Sequence, residues 1–125
     1  MYEDFHVTDR WTQADLHCVW KANIVAIATR HADAVDVRFD VGGRAVWIVL
    51  PCMAWVEYKA RTGNVITDYL AAQIAGHYIK AAIESGFDNG REMYTLTVAE
   101  TIEHLEAVMQ EVGHTDNLPS LPVIA

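Results

Sequence analysis

Two strands joined by a diglycine turn are the feature that most constrains how this chain can fold. In residues 34–41, AVDVRFDV, apolar side chains alternate with charged ones, which is typical of a strand with one face in a core. Gly42 and Gly43 can adopt the positive φ angles of a tight hairpin turn, so residues 44–50 form the returning strand. The sequence therefore predicts a β-hairpin over residues 34–50.

The two-residue turn also fixes the register of the hairpin, because a slip of one residue would move every side chain to the opposite face. On one face Phe39 opposes Val46 and Val37 opposes Ile48. These four side chains are large and apolar. We expect this face to lie in the protein core.

The opposite face of the hairpin is mixed in character. There Arg38 opposes Trp47, where a guanidinium can stack on an indole, and Asp36 opposes Val49. Residues 46–50 are apolar without a break, so this face also carries apolar area that water alone should not cover. Four candidates could cover this face: the first helix, the C-terminal tail, a second copy of the chain or a ligand.

A second copy is the cover that we predict. A two-fold contact would bury the apolar half of the face and pair its charges, as isologous interfaces commonly do. The predicted interface residues are Asp36, Arg38, Trp47 and Val49. The chain is therefore expected to be a homodimer.

Upstream of the hairpin, the spacing of apolar residues favours a helix. Apolar side chains recur at steps of three and four over residues 13–31, and Thr12 is a plausible N-cap. The β-branched segment NIVAIAT within this range leaves a strand as the alternative.

Downstream of the hairpin, the chain shows clear helix boundaries. A short helix after Pro51 should end at Gly63, and Thr67 should cap a long central helix that stops at Gly86. Asn89-Gly90 marks a turn.

The remaining segments add a strand and a helix. The segment EMYTLTV, residues 92–98, predicts a third strand. Thr97 and Glu100 form a capping box for a last helix that should end at Gly113.

These elements define an α+β fold class. We expect a small mixed sheet, built on the 34–50 hairpin plus the third strand, packed against the long central helix and two further helices. At 125 residues the chain has the size of one domain, residues 1–125. An extended apolar tail covers residues 114–125, and its segment from Leu118 to Ala125 is expected to dock on its own domain or on a partner subunit.

Charge and hydropathy exclude several classes of function. Nine basic residues stand against seventeen acidic ones, for a net charge of −8, which argues against binding nucleic acid through its phosphates. No run approaches the ~20 apolar residues of a membrane span, and the start of the chain lacks the order of a signal peptide. We therefore expect a soluble, cytoplasmic protein with no nucleic acid and no membrane as partner.

Candidate catalytic and metal-binding residues are scattered along the chain. The histidines lack the spacing of a zinc motif; Glu100, His104 and Glu111, which share a face of the last helix, are the nearest approach. Cys18 and Cys52 form no disulfide framework, and we expect both to be reduced. No metal and no cofactor is therefore predicted.

One alternative does involve a cavity. The large aromatic content could line a pocket, with a few polar residues as participants and Cys52 as a nucleophile assisted by His77. The candidate cavity residues are His17, Trp20, Cys52, Trp55 and His77.

Together these patterns favour a non-catalytic binding protein that acts as a homodimer on another protein. Its partner would be basic, because the chain is acidic overall, or would accept aromatic anchors, because the chain is rich in tryptophan and tyrosine. The alternative is a small-ligand binder or enzyme with an aromatic-lined cavity. An acidic mimic of nucleic acid is a third hypothesis, for which the last helix alone offers a dense set of carboxylates.

Overall fold

The computed structural model describes residues 1–26, 33–87 and 91–114, which form a five-stranded mixed sheet and three helices. The strands are β1 Asp4–Thr8, β2 Asp15–Ala26, β3 Ala34–Val41, β4 Arg44–Pro51 and β5 Met93–Thr95. The helices are α1 Met53–Thr62, α2 Asp68–Ser85 and α3 Val98–His114. The strands lie in the order β1-β2-β3-β4-β5, all neighbours antiparallel except β4 and β5. The fold class is α+β, as predicted.

The predicted hairpin register is confirmed at every pair. Phe39 lies opposite Val46, and Arg38 lies opposite Trp47. Gly42 and Gly43 have φ angles of 57° and 86°, which side chains with a Cβ rarely adopt. The diglycine turn is therefore what allows the two strands to meet in this register.

The predicted first helix over residues 13–31 is wrong for residues 13–26, and residues 27–31 lie outside the described part of the chain. Residues 15–26 form the strand β2, which was the alternative, and Thr12 is not an N-cap: its amide donates to Asp9 Oδ1 in the preceding loop. Apolar steps of three and four arise here because both faces of β2 carry apolar residues, Trp20 on the inward face and Val19 and Ile24 on the outward face. A bulge between Trp20 and Ala22 also shifts the alternation by one residue.

The sheet has more strands than the three that were predicted. β1, at Asp4–Thr8, pairs with β2 and was not predicted, because only Phe5 and Val7 of its five residues are apolar. The third predicted strand exists as β5, but it spans residues 93–95 rather than 92–98. The chain leaves the sheet after Thr95 because the Thr97 cap of α3 follows closely.

The predicted helix boundaries hold almost without change. Gly63 and Gly86 follow the last residues of α1 and α2, and Thr67 Oγ1 accepts a hydrogen bond from the Leu70 amide at 3.2 Å. The capping box of α3 is reciprocal: Glu100 N donates to Thr97 Oγ1, and Thr97 N donates to a Glu100 carboxylate oxygen. α3 continues to His114, one residue beyond the predicted end.

The core lies between one face of the sheet and the helices. Along β3 every second residue is buried, and α2 contacts β1, β2, β3 and β4. α3 packs against α2, α1 and β4. The largest fully buried side chains are Tyr94, Phe39, Ile48, Leu50, Leu70 and Ile74. The predicted packing of a long central helix on the hairpin is confirmed.

The N-terminal segment is fastened to α2 at a glycine. A Cβ at Gly76 would lie 2.6 Å from Tyr2 Cβ and 2.7 Å from Tyr2 O, so only glycine permits this approach. Beside it, the fully buried Gln73 accepts a hydrogen bond from the Tyr2 amide at 2.7 Å and donates one to Glu3 at 2.9 Å. The start of the chain is therefore part of the packed structure.

The predicted docking of the tail falls outside the described residues. α3 ends at His114, and the segment Leu118–Ala125 lies beyond the part of the chain that the structure describes. It stays a prediction.

Replacing Gly76 with alanine should lower the free energy of unfolding, although alanine is favoured over glycine in a helix interior by about 1 kcal/mol. The new methyl group would displace the Tyr2 backbone, and overpacking of this kind typically costs about 1–3 kcal/mol. Urea denaturation measures the change. In a chain that lacks residues 1–3 the same substitution should cost less, because the main obstacle is gone. A Gly76→Ala variant as stable as the wild type would show that this contact is loose.

Candidate functional site: the open face of the sheet

The face of the sheet opposite the helices is the main candidate site. We call it the open face and define it by the outward side chains of β2, β3 and β4: Ala22, Ile24, Asp36, Arg38, Trp47 and Val49. None of the described elements lies over these residues, and every one of them is intermediate or exposed. The predicted first helix cannot be their cover, since residues 15–26 belong to the sheet itself.

One row of the open face is centred on Arg38. Strand pairing aligns Ala22, Arg38, Trp47 and Met93 across four neighbouring strands. Met93 is 55 % exposed, which makes it one of the most exposed large apolar side chains among the described residues. The row thus places one cation among three apolar side chains.

The Arg38 side chain is only partly satisfied. Its Nη2 lies 3.4 Å from Asp40 Oδ1, a long contact, while its Nε is buried and has no hydrogen-bond partner. The guanidinium therefore turns towards Asp40, whereas the cation–π contacts of the structure involve Arg10 and Arg91 instead of Arg38 and Trp47. An unpaired buried donor costs about 1–3 kcal/mol, so an added acceptor here would be favourable.

The neighbouring row is centred on an acidic residue. Ile24, Asp36, Val49 and Thr95 align across the same four strands, and Ile24 is 49 % exposed. Burial raises the pKa of Asp36 above its ordinary value. Loss of solvent around a carboxylate without a compensating cation is unfavourable, so this group would gain from a basic partner.

The five predicted cavity residues come from β2, from α1 and the residue before it, and from α2, and two of them, His17 and Trp20, lie on opposite faces of β2. His17 lies on the outward side of β2, where its imidazole bonds Asp4, whereas the Trp20 indole donates to Asn23 Oδ1. The Trp55 indole donates to the Ile66 carbonyl at the end of the loop after α1. None of these residues, nor Cys52 and His77, lines the surface pockets beside α3, which are bordered by Tyr78 and His104 or by Tyr58 and Arg61.

Cys52 precedes α1 and is poorly suited to nucleophilic catalysis. Burial raises the pKa of its thiol, and the negative charge of Asp33 raises it further. The reactive thiolate is therefore disfavoured. In the part of the chain that the structure describes, neither cysteine forms a disulfide, and Cys18 is buried.

His77 belongs to a polar cluster between α2 and α3 that the sequence only hinted at. His77 Nδ1 lies 2.7 Å from His104 Nδ1, and His77 Nε2 lies 3.5 Å from Glu111. The Tyr2 hydroxyl donates to Glu111 at 2.7 Å. The sequence places His104 and Glu111 on one face of a helix. It does not reveal their partners, His77 on α2 and Tyr2 at the N-terminus, because these are far away in the chain. Within the described ranges, no three His, Cys, Asp or Glu side chains form a group that could hold a metal ion.

Comparisons with known proteins add no functional assignment. No family model matches the chain, and neither the curated proteins nor the solved structures contain a match. In the part of the chain that the structure describes, no helix combines the length and apolar character of a membrane span. The geometry described above is therefore the basis for a functional proposal.

Acidification from about pH 8 to about pH 5 should destabilise the fold through the two paired histidines. Burial lowers the pKa of His77 and of His104 below the ordinary 6.5, so the unfolded chain takes up protons that the folded chain resists. Their contribution is fully present above pH 6.5 and is lost as the pH falls through the lower folded values. Glu3 does not act in this window, because hydrogen bonds from the N-terminus and Gln73 outweigh its burial and lower its pKa from 4.5 to about 2.

Melting curves across this pH range test the assignment. His77→Gln should flatten the pH dependence, whereas Val65→Ala, an exposed and non-titrating position in the loop after α1, should leave it unchanged. Equal pH dependence in the wild type and in His77→Gln would contradict the role of the histidine pair.

Proposed function

We propose that this protein is a non-catalytic binding protein that acts as a homodimer through its open face. The observation that carries the proposal is a sheet face that no described helix covers, on which partly or fully exposed apolar side chains lie around the incompletely satisfied Arg38. Contiguous apolar area of this kind commonly marks an interaction site.

A second copy of the chain fits the charge pattern of the face. Along β3, outward charges alternate in sign from Asp36 to Arg38 to Asp40, and β3 is the central strand of the sheet. A two-fold axis near Arg38 brings each guanidinium close to the carboxylates of the other protomer. Such an arrangement offers acceptors to Arg38 Nε and a cation to Asp36, while Trp47 and Val49 become buried.

The alternatives have less support. Two residues of the hypothetical cavity, His17 and Trp20, lie on opposite faces of β2, and burial raises the pKa of the Cys52 thiol. The outward carboxylate array that a nucleic-acid mimic needs is interrupted on α3, since Glu111 turns inward to Tyr2. A protein partner for the dimer therefore remains the preferred target, as the aromatic content of the chain first suggested.

Replacing Trp47 with glutamate should convert the dimer to a monomer while leaving the fold intact. The substitution removes an aromatic anchor and places an acidic group near its symmetry mate. Sedimentation velocity measures the association, and circular dichroism checks the fold. Met53→Glu is the matched control, because Met53 is 52 % exposed on α1, away from the open face. A wild type that is monomeric at micromolar concentrations would contradict the proposal.

A charge-swap experiment tests whether the contact is with the same face of a second copy. Asp36→Arg makes the centre of β3 more basic, and Arg38→Asp makes it wholly acidic, so each variant should repel itself. A mixture of the two variants should recover association, because the faces are then complementary. If each variant alone dimerises as the wild type does, the open face is not the contact.

A further inference from the structure

An exposed tryptophan is held in a fixed position at the β1–β2 loop. The Trp11 side chain is 67 % exposed, yet its Nε1–H donates to the Gly86 carbonyl at 2.9 Å. The indole also packs on Gly86, where an added Cβ would lie 2.8 Å from two ring atoms. The ring is therefore presented to solvent in one orientation rather than left free to rotate.

The loop that carries Trp11 is itself tightly bonded. Asp9 Oδ1 accepts hydrogen bonds from the Trp11 amide at 2.8 Å and from the Thr12 amide at 2.9 Å. Asp9 N donates to the Ala14 carbonyl, and Gln13 N donates to the Asp9 carbonyl. Gln13 has a backbone φ angle of 62°. A residue other than glycine keeps this left-handed backbone conformation only where its surroundings enforce it.

One arginine lies near this tryptophan, and a second exposed aromatic ring with its own arginine follows directly after Gly86. Arg10 lies 5.9 Å from the centre of the Trp11 ring, and its Cδ also approaches Gly86. Phe87, the next residue, is 49 % exposed, and Arg91 lies 5.4 Å from the centre of its ring. We call Arg10, Trp11, Phe87 and Arg91 the aromatic–arginine patch. It places two cations and two exposed aromatic rings together on a chain whose net charge is −8.

We infer that the aromatic–arginine patch binds a partner protein through a segment that carries carboxylates beside apolar side chains. Tryptophan and arginine are the residues most enriched at interface hot spots, and guanidinium groups favour carboxylates as partners. The fixed ring and loop lower the conformational entropy lost on binding. The two arginines favour an acidic segment, whereas the acidic charge of the whole chain had favoured a basic partner.

This inference rests on the proposed role as a binding protein, but it does not require the dimer. The patch is built from Arg10 and Trp11 on the β1–β2 loop and from Phe87 and Arg91 between α2 and β5, whereas the open face is centred on β3. A partner can therefore engage the patch while the open face is covered by a second copy.

Selection of random peptides displayed on phage against the folded full-length protein tests the inference. Enriched peptides should carry Asp or Glu next to apolar residues, and added salt should weaken their binding. Synthetic copies of these peptides, titrated by calorimetry, should lose about tenfold or more in affinity on Trp11→Ala and on Arg91→Ala. Val65→Ala is the control, because Val65 is 52 % exposed and lies in the loop after α1.

Trp11→Phe separates presentation of the ring from its apolar area. Phenylalanine keeps a ring but cannot donate to the Gly86 carbonyl, so its affinity should fall between those of the wild type and Trp11→Ala. Circular dichroism must show that each variant is folded. Selection that yields no peptide, peptides without acidic residues, or peptides that bind Trp11→Ala as tightly as the wild type would overturn the inference.

The same variants distinguish an error in the inference about the patch from an error in the dimer proposal. Trp11→Ala should sediment as a dimer, and the monomeric Trp47→Glu should keep its affinity for the selected peptides. Peptides whose binding is lost on Trp47→Glu but kept on Trp11→Ala would place the protein-binding site on the open face and contradict the role of the patch.

Discussion

The pairing of β3 with β4 in one register, and with β2 across a single bulge, is the constraint on which the structure depends. Side chains alternate along β3, so this register places Val37 and Phe39 under α2 and leaves Asp36 and Arg38 on the other side of the sheet. The helices need only one apolar face and occupy only that one. The second face of the sheet, with its apolar and charged rows, follows directly from this one-sided packing.

The hairpin and the helix boundaries were predictable because their determinants are local. A diglycine turn fixes the hairpin register, and the Thr97–Glu100 capping box fixes the start of α3. Whether residues 15–26 form a strand or a helix was harder to predict. Its ladder bonds come from β1 and β3, and the bulge at Trp20 disguises the alternation that would have marked a strand.

The candidate sites show the same division between local and distant determinants. Arg38 and Trp47 could be placed on one face from the sequence, since the turn joins their two strands. That no described helix covers this face could not be predicted from the sequence, because it depends on whether residues 15–26 form a helix or a strand. Two further contacts join residues that are far apart in the chain: the pair of His77 and His104, and the packing of Trp11 on Gly86. The spacing of residues in the sequence does not predict such contacts.

We propose that this acidic chain, with an incompletely satisfied arginine on a sheet face that no described helix covers, associates through that face with its own copy. Isotope-filtered NMR on a mixture of labelled and unlabelled protein tests this claim most directly. Our account predicts intermolecular contacts between the Trp47 indole and outward side chains of β2 and β3. Intermolecular contacts confined to other surfaces, or none at all in a sample concentrated enough for NMR, would contradict it.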